Sequence, residues 1–273
     1  MNHSPALSLN QVSKVYSNGT VALDQMNLTI GQGAFVSLVG PSGCGKSTVL
    51  RLIAGLGKPS SGRIEWSEPA LKQELAFVFQ ESALMPWANV LENVRLPLKL
   101  AGIGKRKSRM AVQEALQLVG LEGVEKSYPR QLSGGMKMRV SIARALVTQP
   151  RVLLMDEPFG ALDEMTRSKL NSDLLQLWRQ QKWTIVFVTH NIYEAVYLSQ
   201  RVAVMAASPG RKVTEVAIEA PYPRSQDFRT SRLCNRYCQE ISDHLQEAVA
   251  GRQVWEKKVT DETPSLNADA ARR

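Results

Sequence analysis

Short apolar or alternating runs mark the first third of the chain: Leu7 to Tyr16, Val21 to Ile30, Phe35 to Val39, Gly62 to Trp66 and Ala76 to Phe79. Side chains along a strand alternate between two faces, so these runs predict strands, and the short, mostly apolar run Phe35 to Val39 predicts a buried one. After Gln80 the period lengthens. Val90 to Ala101, Lys105 to Val119 and Met136 to Val147 carry helical spacing and are separated by Gly, Pro and Ser breakers. Strand signals return at Val152 to Met155 and Thr184 to Val188, on either side of a helix from Glu164 to Gln181, and again at Arg201 to Met205 and Val213 to Ile218. Between 226 and 250, Leu233, Tyr237, Ile241 and Leu245 recur every four residues, which predicts an amphipathic helix. The polar stretch 255–273 is expected to be disordered.

Strands alternating with helices imply a parallel sheet with crossover connections, hence an α/β fold. The helical stretch at about 88–148 reads as an insertion into one domain spanning 7–220. At 273 residues the chain can bury a sizeable core, and it shows no internal repeat.

Between the run ending at Val39 and an apolar helix signal at Val49 to Ala54 lies Gly40-Pro41-Ser42-Gly43-Cys44-Gly45-Lys46-Ser47-Thr48. Glycines let backbone N–H groups approach phosphate oxygens, the lysine adds a point charge, and the following hydroxyl reaches Mg²⁺. Strand, loop and helix in this order predict a nucleoside triphosphate site. Farther on, Val152 to Met155 runs into Asp156-Glu157. A carboxylate ending an apolar strand can orient Mg²⁺ or its waters, while alternation along an extended segment is expected to aim Glu157 elsewhere, toward a water. Leu132-Ser133-Gly134-Gly135 precedes the helical run from Met136, and a hydroxyl with free N–H groups at a helix N-terminus makes an anion site.

With Leu132-Ser133-Gly134-Gly135 beside the phosphate loop and Asp156-Glu157, the chain resembles the ATP-binding subunits of ABC transporters over about residues 7 to 220. The resemblance implies a P-loop NTPase fold with a mostly parallel core sheet, an N-terminal antiparallel β part and an inserted helical subdomain. It implies that Tyr16 stacks on adenine, that Gly40 to Thr48 hold the phosphates, and that Ser47, Gln80 and Asp156 serve Mg²⁺. Glu157 would be the general base, with His190 and Lys46 completing the catalytic set. Ser133, Gly134, Gly135 and Asp163 would contact ATP bound to a second copy of the chain, so a lone chain binds ATP yet hydrolyses it poorly. After Gln80, the proline-broken stretch containing Leu84, Met85 and Trp87 has two readings. It is either local core or a groove for a helix of a membrane-spanning permease subunit.

Leu84-Met85-Pro86-Trp87, Met136, Gly160-Ala161-Leu162-Asp163 and Ser208-Pro209-Gly210-Arg211 are similar to the nitrate, sulfonate and taurine import subgroup. That narrower resemblance implies inward transport of a small anionic solute, with a separate periplasmic or extracellular solute-binding protein. Lys137 and Met138 depart from the Arg-Gln pair expected there. An exporter subunit is one alternative. A soluble ABC ATPase acting on nucleic acid or ribosomes is another, disfavoured because only one phosphate loop and one Leu-Ser-Gly-Gly occur.

Taken alone, Tyr16, Gln80 and His190 are ordinary packing or surface residues, and only the resemblance gives them roles. Cys44, Cys234 and Cys238 lack metal-ligand spacing and are expected as reduced thiols, the last two as small buried apolar residues. The formal net charge of +9 suits an anionic membrane surface, nucleic acid or a nucleotide equally. Its densest cluster, Lys105-Arg106-Lys107-Ser108-Arg109, has no interleaved aromatics for base stacking, so no nucleic-acid partner is expected. With neither a leader-like start nor an apolar run long enough to span a bilayer, the chain is expected at the cytoplasmic face of a membrane. The resemblance also leads to the expectation that the β-barrel regulatory domain found on some related import ATPases is not part of this chain.

Overall fold

The computed structural model describes residues 4–207 and 209–261. The chain opens with β1 (Pro5–Val15) and β2 (Val21–Gly31), an antiparallel pair. Next come β3 (Phe35–Val39), α1 (Lys46–Ile53), β4 (Ser61–Trp66), the short α2 (Pro69–Gln73) and β5 (Leu75–Val78). The inserted helices are α3 (Val90–Leu100), α4 (Lys105–Leu118) and α5 (Gly134–Leu146). The core resumes with β6 (Val152–Asp156), α6 (Glu164–Gln181), β7 (Thr184–Val188), α7 (Ile192–Leu198), β8 (Arg201–Ala206) and β9 (Arg211–Ala217). Helices α8 (Gln226–Thr230) and α9 (Arg232–Asp261) follow.

Two sheets result. One is antiparallel, in the order β2-β1-β4; the other has six strands in the order β5-β6-β7-β3-β8-β9. Every residue of β3, β6 and β7 is buried, which is why these three read as mostly apolar runs and occupy the middle of the larger sheet. All its pairings are parallel except β8 with β9, a hairpin. The helical insertion buries its own stripe, including Val94, Leu98, Val112, Leu116, Val140 and Ile142, in a cluster continuous with Phe35, Phe159 and Phe187 of the core.

The C-terminal periodicity resolves into two helices rather than one over 226–250. The Ser231 hydroxyl donates to Phe228 O at the end of α8 and accepts from Cys234 N at the start of α9, so one side chain stops one helix and caps the next. Helix α9 then continues to Asp261, through part of the stretch expected to be disordered; the remainder of that stretch, 262–273, lies outside the described residues. Residues 255–261, Trp-Glu-Lys-Lys-Val-Thr-Asp, hold neither Gly nor Pro, so no helix breaker interrupts α9 before Asp261. Cys234, Tyr237, Cys238 and Ile241 bury against β8 and α7, and all three cysteines of the chain are free and buried.

A buried cation locks this terminal part to the core. Arg224 Nη1 donates to Val196 O, Tyr197 O and Ser199 O at the end of α7, at 2.6, 2.9 and 2.8 Å. Its guanidinium lies 4.2 Å from the centroid of the Tyr222 ring. The carbonyl end of a helix and an aromatic face both favour a positive charge, so no carboxylate partner is required. Helices α2 and α7 carry no sequence signal strong enough to predict them: α2 spans five residues and α7 seven, too short for a period to show.

Candidate nucleotide site

The phosphate loop turns between β3 and α1, and two of its glycines are required by geometry. Gly45 has φ 88°, and a Cβ there would lie 2.7 Å from Ala22 O; a Cβ on Gly40 would lie 2.6 Å from Cys44 Sγ and 2.7 Å from Met205 O. Ser42 and Gly43 are exposed and Pro41 is half-buried, whereas the Cys44 side chain is fully buried beneath the loop, and that burial pushes its thiol pKa up. Any contact of Cys44 with phosphate would therefore be through its main chain. The Lys46 ammonium lies across the loop, donating to Gly40 O at 2.8 Å and Pro41 O at 3.0 Å. Ser47 Oγ donates to Asp156 Oδ1 at 2.9 Å. Burial raises the Asp156 carboxyl above its ordinary range; the Ser47 hydrogen bond opposes the shift and the neighbouring Glu157 adds to it. Thr48 Oγ1 is 3.3 Å from Tyr16 OH, which places that exposed ring beside the loop.

Glu157 is aimed by a different device from the one expected. Asp156 is the last residue of β6, and Glu157 leaves extended conformation altogether, at φ 45°. A left-handed turn, not strand alternation, separates the two carboxylates; a non-glycine residue held there is strained and must be fixed by its surroundings. Two bonds fix it: Glu157 N donates to Val188 O at 2.9 Å, and Glu157 Oε2 is 2.9 Å from His190 Nδ1. The parallel register, Asp156 opposite Val188, is what brings the residues after the two strand ends together.

Behind His190 stands a pair that sequence reasoning missed. Thr189 Oγ1 donates to Glu194 Oε2 at 2.5 Å and accepts from Asn191 N at 3.0 Å, so one hydroxyl ties both neighbours of His190 to α7. Burial raises the Glu194 pKa. The only signal in the sequence is one acidic residue within Ile192 to Leu198.

Ser133 caps α5, accepting from Met136 N at 3.2 Å, and Asp163 caps α6, accepting from Thr166 N at 3.0 Å. The two caps adjoin. A Cβ on Gly135 would meet Thr166 Cγ2 at 2.6 Å, and one on Gly134 would meet Leu162 Cδ2 at 3.4 Å. Ser133, Gly134, Asp163 and Met165 are exposed, and no hydrogen bond links Ser133 to Gly135 with the phosphate loop among the described residues. Gln80, two residues beyond β5, is also exposed and bonds neither Ser47 nor Asp156, although Val78 opposite Met155 in register sets it near the end of β6.

The stretch after Gln80 divides. Trp87 is 76 % exposed, but Leu84 packs against the helical core. Met85 is half-buried, its main chain gripped by Asn93, which accepts from Met85 N at 2.8 Å and donates to Met85 O at 3.2 Å. Of Leu84, Met85 and Trp87, only Trp87 is exposed, so the core reading fits Leu84 and the groove reading is left to Trp87.

A family model described as ABC transporter matches residues 23–160, half of the chain, across the phosphate loop, Ser133 to Gly135 and Asp156-Glu157. The chain belongs to the ABC transporter family. It is 47 % identical over 229 residues to an aliphatic sulfonates import ATP-binding protein, SsuB, of Bacillus cereus, covering 81 % of this chain and 89 % of that protein. Among solved structures, cbiO1 of Clostridium perfringens, part of the ABC transporter complex cbiONQ, superposes with TM-score 0.72 at 30 % identity, covering 80 % of this chain and 90 % of that one. The dimeric cassette MJ0796, solved in a post-hydrolysis state with ADP and Pi, gives TM-score 0.69 at 35 % identity, covering 79 % of this chain and all of that one. The α/β cassette fold and an ATPase activity coupled to transport follow. No described helix is long and apolar enough to cross a membrane.

Proposed function

We propose that this chain is the energising subunit of an importer for a small organic anion of the sulfonate type, acting as a homodimer on the cytoplasmic face of a membrane beneath its permease subunits. The solute class and direction rest on the kinship with the sulfonate import protein, and the dimer on the exposed Ser133, Gly134 and Asp163. A solute-binding protein outside the membrane would deliver the anion to the permease. The observation that carries the chemistry is the meeting of Glu157 with His190, 2.9 Å apart, one residue beyond the Ser47–Asp156 pair.

In this reading Lys46 and the loop amides bind the β- and γ-phosphates, and the Tyr16 ring supports adenine. Glu157 accepts the proton of the attacking water, held in aim by its left-handed backbone and by His190. Ser47 and Asp156 are oxygen donors suited to Mg²⁺, and a cation there would offset the cost of burying the Asp156 charge. Gln80 is the third candidate ligand. Bound Mg²⁺ supplies charge neutralisation to the phosphates.

Glu157→Gln keeps the shape and the hydrogen-bond reach of the side chain but removes the base. Turnover is expected to fall about 10²- to 10⁴-fold with ATP affinity retained, and ATP should then trap a dimer visible by size-exclusion chromatography. Turnover within a fewfold of wild type would reject the assignment. Uptake of a labelled alkanesulfonate by vesicles carrying the complete transporter tests the solute class, and no uptake above that of a carboxylate analogue would reject it.

A further inference from the structure

The tip of the α3–α4 hairpin is a built cationic surface that the ATP site does not use. From Asn93 to Gln113 the chain has six Lys or Arg and no Asp or Glu. Arg95 is spent internally, its Nε donating to Ser108 Oγ at 2.8 Å and its Nη2 to Ile103 O at 3.3 Å, so it stitches the hairpin closed. The other five, Lys99, Lys105, Arg106, Lys107 and Arg109, are exposed and form no ion pair among the described residues. Among them stand two exposed apolar side chains, Leu100 at 78 % and Met110 at 71 %. Met110 lies one helical turn from both Arg106 and Lys107, centred on the face of α4 opposite its buried Ser108, Val112 and Ala115. Only at Glu114, a turn farther on, does a carboxylate return.

Folding does not ask for this arrangement. The N-terminus of a helix carries a partial positive charge and favours acids, yet the first turn of α4 holds none, and Gly104 offers no side-chain cap. Cations are crowded where they oppose the helix dipole, and apolar side chains are left in water among them. Those two features have a common explanation in a partner that is anionic and also accepts hydrocarbon.

We propose that this tip binds the anionic surface of a lipid bilayer, with Lys99, Lys105, Arg106, Lys107 and Arg109 among the headgroups and Leu100 and Met110 at the acyl boundary. A nucleic acid would satisfy the charge but not the two aliphatic side chains, and no aromatic stands at the tip for a base to stack on. The surface is separate from the ATP site. It rests on the proposed attachment to a permease only for the place where a bilayer is met.

The test is co-sedimentation of the full purified chain with vesicles of phosphatidylcholine alone or mixed with phosphatidylglycerol, at low and high salt. Binding is expected to the anionic vesicles only and to weaken with salt as the Debye length shrinks. Each basic residue near such a surface contributes roughly fivefold to partitioning, so the triple variant K105Q/R106Q/K107Q should lose roughly a hundredfold. Leu100→Asp with Met110→Asp should weaken binding at high salt, where charge is screened. Melting temperature and ATP affinity of both variants should match wild type, since the positions are exposed and remote from the phosphate loop. Equal binding to neutral vesicles, or wild-type binding by the triple variant, overturns the proposal. So does displacement from anionic vesicles by double-stranded DNA at equal charge concentration, which would assign the tip to nucleic acid. None of these results depends on turnover or on a permease, so the lipid surface can fail while the ATPase assignment stands.

Discussion

At the scale of single residues, the site keeps two carboxyl groups in the interior for different purposes, and pH separates them. Asp156 is held above its ordinary pKa chiefly by burial, so a proton competes with Mg²⁺ for it at a higher pH than for an exposed carboxylate. Mg²⁺ affinity in the presence of ATP is expected to fall about tenfold per pH unit once pH drops below that raised value. Isothermal titration across pH measures it, and Asp156→Asn should flatten the dependence while lowering affinity. A pH profile unchanged by Asp156→Asn would remove Asp156 from the metal set. Glu194 affects stability instead. Its folded pKa is raised by desolvation, so its contribution is fully present below the unfolded value and is lost as pH rises through the folded one. Glu194→Gln can still accept from Thr189. Its stability relative to wild type, read from urea midpoints, should therefore improve as pH rises from about 5 to about 8. A constant difference would mean that Glu194 stays ionised in the native state.

At the scale of elements, what was legible follows from what a one-dimensional pattern can carry. Strands β3, β6 and β7 stand out because strands buried on both faces are mostly apolar, broken here only by Ser37 and the end residues Asp156 and Thr184. Helix α6 stands out because it is long and bounded by the Asp163 cap and a left-handed Lys182. The phosphate loop, Asp156 and Glu157 are legible as candidates because each sits at the end of such a strand, and His190 only through the resemblance. Their mutual geometry is not, because it depends on the β6–β7 register and on the left-handed turn at Glu157. Nor could the chain pattern show that Asn93 draws Met85 inward, or that Gly135 is glycine because α5 and α6 cross there. The last point is testable. A Cβ at Gly135 would lie 2.6 Å from Thr166 Cγ2, so Gly135→Ala should cost about 1–3 kcal/mol in chemical denaturation. Thr166→Ser deletes the offending methyl while retaining a hydroxyl, and should restore most of that loss in the double variant. Simple additivity of the two changes would show that the helices adjust elsewhere. By the same logic Trp87→Ala, at an exposed position, should change stability by under about 0.5 kcal/mol, while Leu84→Ala destabilises measurably. If Trp87→Ala also leaves assembly with the permease intact in a pull-down, the permease-groove reading of this side chain is wrong.

At the scale of the whole molecule, the residues proposed to contact ATP fall into two sets with no hydrogen bond between them among the described residues. Lys46, Ser47, Asp156 and Glu157 gather where β3 and β6 end, whereas Ser133 and Asp163 cap neighbouring helices and present their exposed side chains elsewhere. A helix N-terminus attracts phosphate only if one is brought to it, and the chain's own loop is not bonded to Ser133. In the proposed dimer the supplier is the loop of a second copy related by a two-fold axis, which gives two equivalent composite sites. Complementation follows from that symmetry. Lys46→Ala removes a cation from the phosphate loop and Ser133→Arg blocks the opposing cap, so each homodimer carries two defective sites. In a heterodimer of the two variants, the Lys46→Ala loop faces the Ser133→Arg cap in one site, while the other site joins an intact loop to an intact cap. Each parent is expected to be nearly inactive, and the mixture to recover a measurable fraction of wild-type ATPase activity, bounded by the share of heterodimer. Distinct affinity tags on the two chains quantify that share. A mixture as inactive as its parents, with heterodimers demonstrated by tandem purification, would mean that Ser133 acts on the nucleotide of its own chain or not at all.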